Sequence, residues 1–159
     1  MTICAFRREC LFGKINNNHM QLNELGKIVK NEWLKTPYIR PDIELDEFIV
    51  MPNHFHGIVI INEPPNNGDN CRGVLQCAPT DRFRSPSQNI GSIIRGFKST
   101  VTKQINILRN TPAISVWHRN YYDRIIRNDM ELNKTREYII ANPEMWDNDE
   151  ENLVNFIIR

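Results

Sequence analysis

Two histidines two residues apart, His54 and His56, and a tyrosine four residues before an asparagine, Tyr138 and Asn142, have spacings suited to chemistry in this 159-residue chain. On a strand, the two-residue pleat puts both imidazoles on one face and Phe55 on the other. Two neutral imidazoles side by side make half of a divalent-metal site. The pair alone is a weak signal, because surface strands carry such spacings without any ligand. His19 and His118 have no partner at ligand spacing and read as ordinary polar residues. On a helix, Tyr138 and Asn142 lie on one face, one turn apart. A phenol is a nucleophile once deprotonated, and an amide oxygen is a hard ligand suited to Mg²⁺ or Mn²⁺. The same spacing also fits a tyrosine packed on a sheet with its hydroxyl at the edge. Tyr121 and Tyr122 are rival nucleophiles, but they fall on a predicted strand and lack an amide four residues on.

The elements that must position these residues are readable from periodicity and punctuation. Thr2–Phe6 reads as a strand beginning almost at Met1, and Leu11–Ile15 with His19–Leu22 as a small hairpin across Asn16-Asn17-Asn18. Asn23 caps a first helix with Leu25, Ile28, Val29 and Trp33 at helical spacing, which Thr36-Pro37 stops. Ile43–Met51 reads as a strand kinked near Glu47, Pro52-Asn53 as a tight turn, and His54–Ile61 as the returning strand. The stretch Asn62–Gln88, with four prolines and few apolar residues, reads as a long loop prone to disorder. Ser87 is a cap for a second helix bearing Ile90, Ile93, Ile94, Phe97, Val101, Ile105 and Leu108, which ends by Pro112. Val116–Ile126 has strand character, and Asn128-Asp129 opens a third helix to about Asn142, before Pro143. The order strand, helix, strand, strand, helix, strand, helix predicts an α+β fold. Its first six elements match a split βαβ, ferredoxin-like or RRM-like antiparallel sheet with helices on one face, and the last helix carries Tyr138. Residues 1–146 then form one domain and 147–159 an acidic tail.

Length allows one such domain and leaves little room for a second. Longest apolar runs fall far short of a membrane span, and no signal peptide is visible, so a cytoplasmic protein is expected. Cys4, Cys10, Cys71 and Cys77 contain no C-x-x-C pair and read as free thiols. The net charge of +1 conceals an asymmetry. Between Arg72 and Arg127 stand ten bases and two acids, so this stretch carries +8 and the remainder −7. A basic middle suits a phosphate-backbone binder. Arg95, Lys98, Lys103, Arg119, Arg124 and Arg127 are its candidate contacts, although a solvated helix face would look alike.

The segment Val50-Met51-Pro52-Asn53-His54-Phe55-His56-Gly57 resembles the HUH motif of single-tyrosine transposases. Trp117 to Asn128 and Arg136-Glu137-Tyr138-Ile139-Ile140-Ala141-Asn142-Pro143 are similar to the same family, in the same order. The nearest branch is the insertion-sequence-200-like group with the REP-associated tyrosine transposases, and the resemblance runs from Thr2 to Trp146. It implies that His54, His56 and Asn142 hold one divalent metal, Mg²⁺ or Mn²⁺. It further implies that Tyr138 attacks single-stranded DNA, forming a 5′-phosphotyrosine and releasing a 3′-hydroxyl, at sites flanked by imperfect hairpins. Such proteins work as monomers or as homodimers that exchange the tyrosine helix. Two other readings fit the residues. One is a non-catalytic RRM-like single-strand binder derived from a transposase. The other is a metal hydrolase pairing His54 and His56 with a carboxylate such as Glu44 or Asp46.

Overall fold

A strand with Phe55 and Gly57 on one side and His54 and His56 on the other must bury the first pair and leave the second to a different layer. The computed structural model describes residues 1–62, 89–152 and 155, and it is built around that strand. Strand β1 (Thr2–Cys4) is followed by the hairpin β2 (Gly13–Asn16) and β3 (His19–Leu22), then helices α1 (Glu24–Leu34) and α2 (Thr36–Ile39). Strands β4 (Ile43–Val50) and β5 (His54–Ile61), helix α3 (Ile90–Arg109) and helix α4 (Asp129–Ala141) complete it. The main sheet has the order β1-β5-β4, all antiparallel. Register aligns Ile3, Phe55 and Val50 across its three strands. Thr2 lies opposite His56 and Cys4 opposite His54, so those four side chains share the other face. The chain is thus a mixed α+β protein with the split βαβ arrangement.

The first face is covered by α1 and α3. Trp33 is fully buried there, its ring 4.8 Å from Phe55 and 5.2 Å from Phe97. Gly57 makes this possible, since a Cβ at that position would sit 3.0 Å from the Trp33 ring. Each of the three long helices starts on an asparagine whose side chain accepts from the backbone three residues on: Asn23 from Gly26, Asn89 from Ser92 and Asn128 from Glu131. The cap of α3 is therefore Asn89, two residues beyond the expected Ser87, because Ile90 is the first residue to turn helical. Pro37 does not end helical structure. It opens the extra turn of α2, where proline's missing N–H costs nothing.

Strand β4 is bulged. Its pairing with β5 shifts between Leu45 and Phe48, at the predicted kink. The extra residue lets Leu45, Phe48 and Val50 all reach the core, which strict alternation would forbid. At the other end of the chain, β1 stops at Cys4 rather than Phe6, since Phe6–Arg8 form a 3₁₀ turn with Arg7 and Arg8 both at φ 55°.

The expected strand Val116–Ile126 is not a continuous one. It touches β1 at two isolated bridges, Ala5 with Trp117 and Thr2 with Tyr122. Three residue steps on β1 therefore face five on its neighbour, and the surplus bows outward at 118–120. Lys98 fills that bow. Its ammonium donates to the carbonyls of His118, Arg119 and Asn120 at 2.9, 3.3 and 3.1 Å. The segment still lies beside β1, in the position of the fourth ferredoxin-like strand. The loop predicted over 62–88 lies, beyond Asn62, outside the described residues, as do Arg72, Arg82 and Arg84. Among the described residues no helix is long and apolar enough to cross a membrane.

Replacing Lys98 by methionine keeps the apolar stem and removes the three donors. It should cost about 1–2 kcal/mol in urea unfolding, with faster hydrogen exchange at Tyr122 and unchanged exchange in β5.

Candidate active site

Both motif histidines leave β5 on the face away from Trp33, and both are anchored at one nitrogen. His54 Nδ1 lies 2.8 Å from Asn53 Oδ1, and His56 Nδ1 lies 2.8 Å from Thr2 Oγ1. The Asn53 oxygen can only accept, so His54 carries its proton on Nδ1 and its lone pair on Nε2. Asn53 is itself fixed, its Nδ2 donating to the carbonyls of Arg8 at 3.1 Å and Glu151 at 2.6 Å. The two rings stand nearly perpendicular with centroids 4.5 Å apart.

The free ends converge. His54 Nε2, His56 Nε2 and Asn142 Oδ1 are all buried without a hydrogen-bond partner. Asn142 caps the C-terminus of α4 and is 1% exposed. After the 3₁₀ turn Trp146–Asn148, the chain brings in Asp149, with Oδ2 3.9 Å from His54 Nε2. One ligand atom each from His54, His56 and Asp149 falls within 4.8 Å of the others. Buried acceptors left unpaired are costly. Two imidazole nitrogens, a carboxylate and an amide oxygen together form a ligand set that suits a divalent cation. The residues fit such an ion.

Electrostatics point the same way. Burial holds His54 down to about 4, although the nearby Asp149 charge acts in the opposite direction. Burial, then His54 and the N-terminal ammonium, hold His56 well below its usual value. Both rings are therefore neutral, as ligands must be. Tyr138, on α4, packs its ring 5.4 Å from that of His56. Its phenol is pushed up first by burial and then by Asp149, with Glu151 and Glu150 adding to the effect and the Asn142 amide opposing it. The ring is still half-exposed. Of the rivals, Tyr122 bonds its backbone to Thr2 and turns its side chain to solvent, and Tyr121 packs against the core.

Two carboxylates considered from the sequence are engaged elsewhere. Glu44 accepts from Asn62, and Asp46 is held by Arg136. The carboxylate at the histidines is Asp149, which the sequence places in the expected acidic tail 147–159. Nothing in that run of acids distinguishes it, because its approach depends on the turn after Pro143. Asn53 and Thr2 carried a readable signal, since residues flanking a strand histidine or pairing across from it are natural partners for Nδ1.

Comparison with known proteins places the fold. No protein-family model matches the chain. An uncharacterized protein of Haemophilus influenzae is 43% identical over 151 residues, covering 94% of this chain and 82% of that protein. The chain belongs to that protein's family. A solved structure of a REP-associated tyrosine transposase bound to a REP hairpin shares the family's fold, with a TM-score of 0.59 and 19% identity over 90% of this chain. The chain spans 64% of the length of that transposase.

In this member of the family the candidate basic contacts separate into groups. Lys98, Lys103 and Arg119 line one groove of about 430 Å³ beside α3, together with Trp117 and His118. Within it Lys98 is tied to carbonyls, which leaves Lys103 and Arg119 as the exposed charges. Arg124 is ion-paired with Glu131, and the Arg127 backbone N–H donates to the same carboxylate. Arg95 is exposed on α3. None of the six joins the histidine cluster.

Mn²⁺ titrated into metal-free protein, followed by the loss of its free-ion EPR signal, should bind at one site. His54→Ala should abolish binding, and Asn53→Ala should weaken it about 10- to 100-fold through loss of ring orientation. Acid should also destabilise the metal-free fold. Both imidazoles are neutral when folded and charge near pH 6.5 when unfolded, so unfolding takes up protons as pH falls. Thermal midpoints should be level above about pH 6.5 and fall from there towards about 4.

Proposed function

We propose that this protein is a metal-dependent transposase. It cleaves and rejoins single-stranded DNA at hairpin-flanked sites through a 5′-phosphotyrosine on Tyr138. The observation that carries this reading is the convergence of ligand atoms of His54, His56 and Asp149 within 4.8 Å of one another, with the Asn142 side chain at His54, beside the half-exposed ring of Tyr138 in the same chain. The shared fold of a transposase solved with a REP hairpin supports a DNA hairpin as ligand.

The chemistry follows from the groups present. Tyr138 Oη attacks the phosphorus of one phosphodiester, an O–P bond forms, and the bond from phosphorus to the 3′-oxygen breaks. The released strand ends as a 3′-hydroxyl after taking up a proton. Because burial and the neighbouring carboxylates hold the phenol protonated, attack requires loss of the Oη proton, and the half-exposed ring gives water access to it. Mg²⁺ or Mn²⁺ held by His54, His56 and Asn142, with Asp149 in reach, would supply Lewis-acid polarisation of the scissile phosphate. The phosphotyrosine is a phosphodiester like the bond it replaces, so the 3′-hydroxyl of another strand can reverse the step without ATP. Arg95, Lys103, Arg119, Arg124 and Arg127 would hold the DNA backbone, with Lys98 shaping the groove from beneath. A site assembled within one chain suits a monomer.

Labelled hairpin-flanked single strands incubated with protein and Mn²⁺ should yield a protein–DNA adduct that survives denaturing electrophoresis. Tyr138→Phe should remove the adduct, as should chelator, and Asn142→Ala should reduce it at least 10-fold. An adduct that persists in Tyr138→Phe would overturn the assignment. Salt-sensitive hairpin binding with no adduct under any metal would make the protein a non-catalytic single-strand binder.

A further inference from the structure

Helix α4 carries Tyr138 but has little apolar attachment, for Ile139 is its one buried residue. A helix of 13 residues with so narrow an apolar stripe is not held to a sheet by hydrophobic burial. What reaches across is Arg136, two residues before the tyrosine. Its guanidinium grips the Asp46 carboxylate with three contacts: Nε to Oδ1 at 3.0 Å, Nε to Oδ2 at 3.1 Å and Nη2 to Oδ2 at 2.6 Å. Nη1 also donates to Asn133 on the same helix at 3.2 Å, which steadies the fork.

Asp46 can receive that fork because of the bulge in β4. The shifted register turns Leu45 and Phe48 both to the core and sends Asp46 to the face where α4 lies. There Asp46 Oδ1 also accepts from the Glu47 backbone N–H at 2.7 Å, which fixes its rotamer. Bulges commonly re-aim a side chain in this way. Planar, multiply bonded Arg–carboxylate pairs fix direction as well as distance.

We propose that the bulge-borne Asp46–Arg136 pair is a positioning device that holds Tyr138 against the histidines of its own chain. Neither residue touches the reacting atoms, and both act through the seating of α4. The proposal rests on the reading of Tyr138 as nucleophile for its catalytic consequence, but the seating itself is measurable without DNA.

Three readouts on the full-length protein test it. In metal-free protein, Arg136→Ala should speed hydrogen exchange across 129–142 at least 10-fold and leave β5 unchanged. A 3-fluorotyrosine placed at 138 should shift its ¹⁹F resonance in Arg136→Ala, and Arg136→Lys should move it less. With hairpin DNA, the adduct-forming rate at saturation should fall about 10- to 100-fold, as expected for a misplacement near 1 Å, while the concentration for half-saturation stays constant. Asp46→Asn keeps the contact to Glu47 and should give an intermediate loss. The double variant Asp46→Ala/Arg136→Ala should be no slower than Arg136→Ala alone, which marks a coupled pair. Unchanged exchange and an unmoved ¹⁹F signal in Arg136→Ala would overturn the proposal, as would additive losses in the double variant. A wild-type protein that forms no adduct would sink the transposase reading alone, since exchange and the ¹⁹F signal still decide the seating.

Discussion

The pleat of β5 is the constraint on which the remainder depends. Four successive residues, His54 to Gly57, are distributed strictly to alternate faces, and each face has a different requirement. On one, Phe55 and the space left by Gly57 accept Trp33 and so fix where α1 and α3 pack. On the other, the two imidazoles are set side by side with no freedom to separate. A shift of one residue in register would exchange these roles completely, placing polar rings in the core and an aromatic ring at the cation site. The geometry of the site is therefore guaranteed by the aromatic core behind it.

Around that strand, orientation is supplied by polar groups rather than by packing. Asn53 and Thr2 each hold one ring nitrogen, and Asn53 also bonds the carbonyls of Arg8 and Glu151, so a single amide joins the turn, the strained Arg7-Arg8 pair and the C-terminal segment. Glu151 is further bound by Arg8 at 2.9 Å and by the Cys4 thiol at 3.3 Å. Burial and that carboxylate push Cys4 up to about 12, so it remains a thiol. The site thus combines neutral imidazoles, a protonated phenol and a protonated thiol with several acids. It is an environment whose electrostatic balance favours an added positive charge.

How much of this was legible in the sequence follows from the range over which each feature is determined. The Asn23 and Asn128 caps, the kink at Glu47, the Pro52-Asn53 turn and the pairing of His54 with His56 on one face depend on a few adjacent residues and are legible in the sequence, whereas the α3 cap falls on Asn89 instead of Ser87. Tyr138 and Asn142 at one helical turn are legible too, and both reach the histidines. Val116–Ile126 has strand composition, but its pairing with β1 is set by a match of five residue steps against three that no local pattern encodes. Asp149 reaches the histidines by a path through Trp146–Asn148 that no local pattern encodes. The basic run was visible as charge, but the diversion of Lys98 to three carbonyls and of Arg124 to Glu131 is tertiary.

The two outer margins of the sheet share a property with a consequence for life in a crowded solution. An uninterrupted border strand offers a row of unpaired backbone donors and acceptors that a second molecule can extend. Here the border at β4 is broken by its bulge, and the border at 117–122 is bowed, with three of its carbonyls already occupied by an ammonium. Among the described residues neither side presents the regular ladder that strand-by-strand growth needs. The irregularities that aim Asp46 and accommodate Lys98 also keep one copy of the sheet from templating another.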